Sequence, residues 1–247
     1  MAENESHRGH FAGDDLLFAP EAWPALRVAT AELSWLLDRG YGQKAAVKLV
    51  GDRHSLRERQ RLAVLRSACG DRDLASRAAR RLDPPDLRGR VVVVDGFNLL
   101  IAIEAALGGG LLVRGRDGVL RDLASVHGGY RLVADTESAV SALGEVLAAH
   151  APSLVEVFLD RPVSNSGRVR AVMEEASGRR GWPWQVSLAD SPDREILARP
   201  GCVAVTSDGP ILDRCGPWVP LAEAVVKAHA PRAWIVDLGE GATSPLP

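Results

Sequence analysis

The sequence predicts an α/β domain with a central, mostly parallel sheet, preceded by a small all-helical domain. Three observations carry that reading. Val91-Val92-Val93-Val94 is a short, wholly apolar run, the pattern of a strand buried on both faces of a parallel sheet, and comparable runs recur after it. Helical patterns lie between them, and strands alternating with helices imply βαβ crossovers. Before Asp83-Pro84-Pro85-Asp86 the pattern is helical only, and that stretch breaks a helix because the residue before each proline is pushed out of the helical region.

Taken in order, residues 1–20 are polar and bear Gly and Asp, which predicts a loosely ordered tail. Residues 21–82 form the helical, Arg-rich domain. Leu26, Thr30, Leu33, Leu36 and Leu37 recur at helix spacing, and Gly40 and Gly42 supply a stop. A second helical stretch begins near Gln43. Ser55-Leu56-Arg57-Glu58 then reads as a capping box, with Leu62, Leu65 and Cys69 continuing the apolar face. Arg53, Arg57, Arg59, Arg61 and Arg66 on this stretch present either a solvated charged face or a phosphate-contacting surface. Residues 83–90 are a linker, and residues 91–247 are the second domain. Its strands are expected at 91–94, 154–159, 184–188, 202–206 and 233–238, and its helices at 99–107, 137–150, 166–177 and 221–229.

Composition narrows the function. With 247 residues, 46% of them hydrophobic, the chain can bury one substantial core and a smaller second one. A formal charge of −2 argues against a globally basic nucleic-acid binder but leaves room for local patches. Lys44, Lys48 and Lys227 are the only lysines, so nearly all positive charge is guanidinium, the group suited to bidentate phosphate contacts; base composition that favours Arg codons explains the same bias. Three cysteines without CxxC spacing suggest neither a disulfide framework nor a zinc site and fit a reducing cytoplasm. The opening residues lack a basic segment followed by an apolar run, and no stretch of about 18 apolar residues occurs, so a soluble, unexported chain without a membrane partner is expected. Neither a P-loop nor GxGxxG follows Val94, and no GxSxG elbow occurs, which sets aside ATP-driven, nicotinamide and acyl-transfer chemistry.

In open α/β sheets, functional groups gather beyond the carboxyl ends of the strands. Asp95 follows the first apolar run, Asp160 the second, Asp193 comes shortly after the third, and Asp208 follows the fourth. Asp135 and Glu137 begin the long central helix within reach of that edge. Each acid alone has an ordinary use in a turn, a cap or an ion pair. Several converging carboxylates repel one another and raise one another's pKa unless a cation neutralises them. Oxygen ligands without Cys or His select Mg²⁺ or Mn²⁺, ions that serve phosphoryl chemistry.

The run Val91-Val92-Val93-Val94-Asp95-Gly96-Phe97-Asn98-Leu99-Leu100 resembles the opening strand of PIN-like nucleases, particularly their NYN branch. Ala204-Val205-Thr206-Ser207-Asp208 resembles a later strand of that family, and Ser191-Pro192-Asp193-Arg194-Glu195-Ile196 its Asp-bearing helix start. The resemblance covers roughly residues 91–225. The layout, an Arg-bearing helical domain before a nuclease-like one, is also similar to an uncharacterised prokaryotic two-domain family. The PIN-like resemblance implies a three-layer fold and divalent-metal-dependent hydrolysis of RNA. It makes Asp95, Asp193 and Asp208 metal ligands, with Asn98 orienting Asp95 or the substrate. For the fourth acid, Glu137 suits the general PIN pattern and Asp160 the NYN pattern. Asp213 is a weaker candidate, since it can pair with Arg214.

The loop Asp160–Arg168 departs from the family pattern. Arg161, Ser164, Asn165, Ser166 and Arg168 surround a helix start, where free N–H groups favour anions, so they are candidates to hold a phosphate, as is Ser207 beside Asp208. Arg114-Gly115-Arg116-Asp117-Gly118 reads as a structural turn. His127 offers a general acid on a loop or an ordinary exposed histidine, and Trp182 and Trp184 offer base stacking or core packing. Two functions of different class remain open: a ribonuclease acting on single-stranded or structured RNA, and a catalytically inactive PIN-like module that binds nucleic acid or nucleotides. An aspartyl phosphatase is less suited, because Phe97 stands where that chemistry wants a second Asp. Self-association as a homodimer stays open.

Overall fold

Alternation in the first strand sets the layers. In β1 (Val91–Asp95), Val92 and Val94 point into one core and Val93 into another, as the two-residue period of a strand requires. The structure, a computed structural model, describes residues 8, 11–124 and 129–241. Its helices are α1 (Asp14–Leu17), α2 (Trp23–Asp38), α3 (Gln43–Arg53), α4 (Glu58–Ser67), α5 (Asp71–Arg80), α6 (Gly96–Leu107), α7 (Thr136–Ala149), α8 (Ser166–Arg180), α9 (Pro192–Leu197), α10 (Gly209–Leu212) and α11 (Leu221–His229). The remaining strands are β2 (Leu111–Arg114), β3 (Leu120–Asp122), β4 (Leu154–Asp160), β5 (Trp184–Ala189), β6 (Val203–Val205) and β7 (Trp234–Asp237).

The fold is mixed α/β. A central sheet has the order β5-β4-β1-β6, and every neighbouring pair in it is parallel. One face is covered by α6, α7, α8 and α11 through Leu100, Leu143, Met173 and Val225. The other is covered by α9, α10 and Trp218 through Ile196, Ile211 and Leu212. Burial on both faces explains why β1 and β6 read as continuous apolar runs, whereas the edge strand β5 alternates apolar residues with exposed Gln185 and Ser187.

The second sheet departs from expectation. The run at 233–238 was assigned to the parallel sheet, but β7 pairs with β2 in a separate sheet of order β3-β2-β7. The hairpin β2–β3 left little signal, because its strands have four and three residues and follow three glycines. Helix α6 lies between the sheets and is buried almost all round, with Ala102, Ala105 and Ala106 against Leu112 and Leu120.

The N-terminal helices do not have a core of their own. Leu26, Leu33, Val50 and Val64 share one with Leu111, Val113, Leu123, Val236 and Leu238 of the second sheet. Residues 11–20, expected in a loose tail, are folded: Phe18 is buried, and Asp14 is held by two bonds from Arg59 at 2.6 and 2.8 Å. The expected capping box at Ser55 is displaced. Helix α4 starts at Glu58, and the Gln60 side chain accepts from the Arg57 backbone N–H at 3.1 Å. Most of the arginine run is taken up by ion pairs: Arg59 with Asp14 and Arg66 with Asp122 in partly buried positions, and Arg53 with Glu32 and Arg61 with Asp52 at the surface. Among the described residues no helix is long and apolar enough to cross a membrane, and all three cysteines are free.

A candidate carboxylate site at the sheet switch point

The chain builds β1, β4 and β5 in one direction and then crosses back to lay β6 on the other side of β1. Between β1 and β6 the loops leave in opposite directions, which opens a crevice at the carboxyl ends of the strands. Asp95 ends β1 there, and Asp208 follows β6. Helix α6 starts immediately at Gly96, which must pass close under β4: a Cβ at this position would lie 2.6 Å from Leu159 Cδ2 and 2.9 Å from the Phe158 carbonyl oxygen. Glycine is thus required by the close approach of helix to strand.

Asp95, Asp160, Asp193 and Asp208 all line one cleft of about 730 Å³. Among the described residues none of the four makes a salt bridge to Lys or Arg. Burial pushes the Asp95 carboxyl up to about 7, and the charges of Asp208, Asp160 and Asp193 push it the same way; the Thr206 hydroxyl, donating to Asp95 Oδ2 at 2.9 Å, opposes them. Asp160 is raised by burial and then by the charge of Asp193. Asp208 is also raised, mainly by burial and further by Asp193, while the Ile211 N–H it caps and the charges of Arg121 and Arg77 work against the rise.

Asn98 and Ser207 also line the cleft, but their side chains bond to each other. Asn98 Oδ1 accepts from the Ser207 N–H at 2.9 Å and from its hydroxyl, so Asn98 fixes the loop that carries Asp208 rather than orienting Asp95. Glu137 stands apart, lining a different groove with Glu145, Arg180 and Trp182, because the N-terminus of α7 does not reach the switch point. Of the two acids weighed for the fourth position, Asp160 is the one in the cleft. The loop expected to hold phosphate is bound up internally. Ser164 and Asn165 both donate to the Tyr130 carbonyl, at 3.1 and 2.8 Å, and Ser166 donates to the Arg161 carbonyl. Arg161 itself pairs with Asp190 and donates to the Leu188 carbonyl. Arg168 is exposed on the first turn of α8 and does not line the cleft. Asp213 pairs with Arg77 rather than with its neighbour Arg214. His127 lies outside the described residues.

Two features escaped sequence reasoning. Thr206 bridges the acids: its hydroxyl donates to Asp95 and accepts from the Asp208 N–H at 3.0 Å. Its position between strand and Asp208 was visible, but its role depends on β6 lying beside β1. The second feature is a buried group of Arg77, Asp117 and Arg121, from α5, the β2–β3 turn and β3. The chain turns at Asp117, where Gly118 adopts φ 75° and its N–H meets the Gly115 carbonyl at 2.9 Å.

Among the described residues no three His, Cys, Asp or Glu side chains stand close enough, as they lie, to hold one metal ion. The donor set nevertheless fits a hard cation: it is all carboxylate, none of its members is salt-bridged to Lys or Arg among the described residues, and it includes a buried acid whose carboxyl is pushed up to about 7. Mg²⁺ usually keeps several waters and takes only one or two carboxylates directly, so three direct ligands are not demanded.

Comparison with known sequences adds relatives without a described activity. Residues 25–80 match a family described as "Protein of unknown function (DUF434)". An uncharacterised protein of Methanocaldococcus jannaschii is 27% identical over 188 residues, covering 76% of this chain and 89% of that protein. No solved structure matches the chain. Residues 84–224, more than half of the chain and the part that carries all four carboxylates, match the family described as "Domain of unknown function (DUF5616)", and the chain belongs to that family.

Proposed function

We propose that the protein is a divalent-metal-dependent ribonuclease of the PIN-like type, related in its opening motif to the NYN branch. One observation carries the reading: four aspartates from separate segments meet in one cleft at the switch point of a parallel sheet, with no Lys or Arg salt-bridged to any of them among the described residues. Carboxylates gathered in this way without salt-bridge partners are costly to a fold, and a bound cation offsets the cost. Asp95, Asp160, Asp193 and Asp208 would hold Mg²⁺ or Mn²⁺, which when bound supplies an activated water and stabilises charge on a phosphodiester. The chain's own groups do the rest. Thr206 and Asn98 fix the segments that bear Asp95 and Asp208, and Phe97, Ile101, Leu62 and Leu65 line part of the cleft with apolar groups. A cleft of about 730 Å³ suits one or two nucleotides of a single strand.

The test incubates purified full-length protein with labelled single-stranded RNA and DNA, in Mn²⁺ or EDTA, beside the Asp95→Asn variant. Mn²⁺-dependent RNA cleavage that Asp95→Asn abolishes, with RNA binding retained, is the expected result. A second reading, a PIN-like nucleic-acid or nucleotide-binding module without turnover, is favoured by the spacing of the acids, which do not cluster in threes at ligand distance. Binding without cleavage in any metal would select it.

A further inference from the structure

The backbone on either side of Asp208 is held by guanidinium groups that sequence reasoning did not associate with it. Arg121 donates from Nε to the carbonyl of Ser207 at 2.7 Å, and Arg77 donates from its terminal nitrogen to the carbonyl of Gly209 at 3.3 Å. The residue between those two carbonyls is Asp208. Both arginines are in turn fixed by one carboxylate. Asp117 accepts from Arg121 at 2.9 and 2.6 Å and also takes a bond from Arg77, and its side chain is only 2% exposed. Arg77 spends its Nε on Asp213 at 2.7 Å, at the far end of α10. Glycine at 209 leaves room for this approach, since a Cβ there would stand 3.2 Å from the Arg77 terminal nitrogen. A planar guanidinium in a fixed fork locks orientation in a way that an ammonium on a flexible stem does not.

Resting on the nuclease reading above, we propose that Arg77 and Arg121, clamped by Asp117, are positioning residues that set the direction in which Asp208 enters the carboxylate cleft. Because Arg77 belongs to α5, the N-terminal helical region is then a structural part of the site rather than an appended substrate-presenting module. Outer-sphere partners of metal-ligating carboxylates commonly change metal affinity or activity by 10–100-fold when replaced.

The experiment uses full-length wild type and the variants Arg121→Lys, Arg77→Lys and Asp208→Asn, each checked for folding by circular dichroism. Three quantities are read: Mn²⁺ affinity by calorimetry, kcat and KM for RNA, and amide exchange in the segment from Thr206 to Gly209. Each Lys variant is expected to bind Mn²⁺ about 10-fold or more weakly, to lose kcat at unchanged KM, and to exchange faster in that segment but not in β1. Arg121→Lys combined with Asp208→Asn should lose no more than Asp208→Asn alone, because a residue acting through Asp208 has nothing further to remove. Additive losses, or unchanged exchange with unchanged Mn²⁺ affinity in either Lys variant that folds, would overturn the positioning role while leaving the nuclease reading intact. Wild type that binds no Mn²⁺ and cleaves nothing would overturn the nuclease reading, and with it the role assigned here.

Discussion

Replacing Asp95 by Asn should stabilise the metal-free protein, and the gain should grow with pH. Asp95 is 6% exposed, and burial together with three nearby carboxylates raises its carboxyl from 3.8 to about 7. The folded state therefore holds the proton more tightly than the unfolded chain. Below the unfolded value both states are protonated and nothing is lost; between 3.8 and about 7 the wild type is progressively destabilised, and above about 7 the penalty is complete. Three pK units at about 1.4 kcal/mol each give a ceiling of about 4 kcal/mol at pH 8, of which about 2–3 kcal/mol develops between pH 5 and pH 8. Asn keeps the volume and an oxygen to accept from Thr206, so the substitution removes charge and little else. In a chain of this size each kcal/mol moves the midpoint by about 2–4 °C. Thermal unfolding followed by circular dichroism in EDTA at pH 5, 6, 7 and 8 should show the variant's advantage rising by about 5 °C or more across the series. Added Mn²⁺ should then stabilise wild type more than the variant. A difference that stays flat with pH, or a variant less stable at pH 8, would refute both the burial argument and the idea that the acids await a cation.

Other outcomes follow from the same geometry. Gly96→Ala should lower stability by about 1–3 kcal/mol in denaturant titration, because the added methyl meets the Phe158 carbonyl oxygen at 2.9 Å, a backbone atom that cannot swing away. Although burial disfavours its charged form, Asp117 is held at about 2 by Arg121 and Arg77. Its stabilising effect is accordingly present above the unfolded value of 3.8 and lost as pH falls through about 2. Asp117→Asn should therefore cost about 3–5 kcal/mol near neutrality, read by urea unfolding, and progressively less in acid. If the protein cleaves RNA, Asp160→Asn should reduce the rate at least 10-fold, whereas Glu137→Gln, in a separate groove, should leave it within about twofold; the reverse order would place the fourth acid on α7.

How much was legible before the fold was known varies from element to element. The strand at Val91 could be read because double-sided burial leaves an uninterrupted apolar run, the strand at Leu154 because only Glu156 interrupts its run, and the edge strand at Trp184 from apolar residues alternating with Gln185 and Ser187; the acids follow from where these runs stop. The hairpin at Leu111 and Leu120 is too short to establish a period, so the second sheet stayed hidden and β7 was assigned to the wrong one. The loop from Arg161 to Arg168 has the composition of an anion site, yet its hydroxyl and amide groups are spent on backbone carbonyls that no local pattern reveals. The arginines on α4 looked like a surface for phosphate and instead pair with acids as distant as Asp14 and Asp122.

Residue order alone shows where the apolar runs stop, and so puts Asp95, Asp160 and Asp208 at strand ends, since hydrophobic periodicity is a local property. Which acids share the cleft, that Thr206 joins two of them, and that Arg121 and Arg77 hold the Ser207 and Gly209 carbonyls on either side of Asp208 emerge only in the folded chain. Those contacts join residues as far as 132 positions apart along the chain. Such partners are chosen by the order in which strands pair and by how helices pack upon them, and neither is encoded in any short stretch of residues.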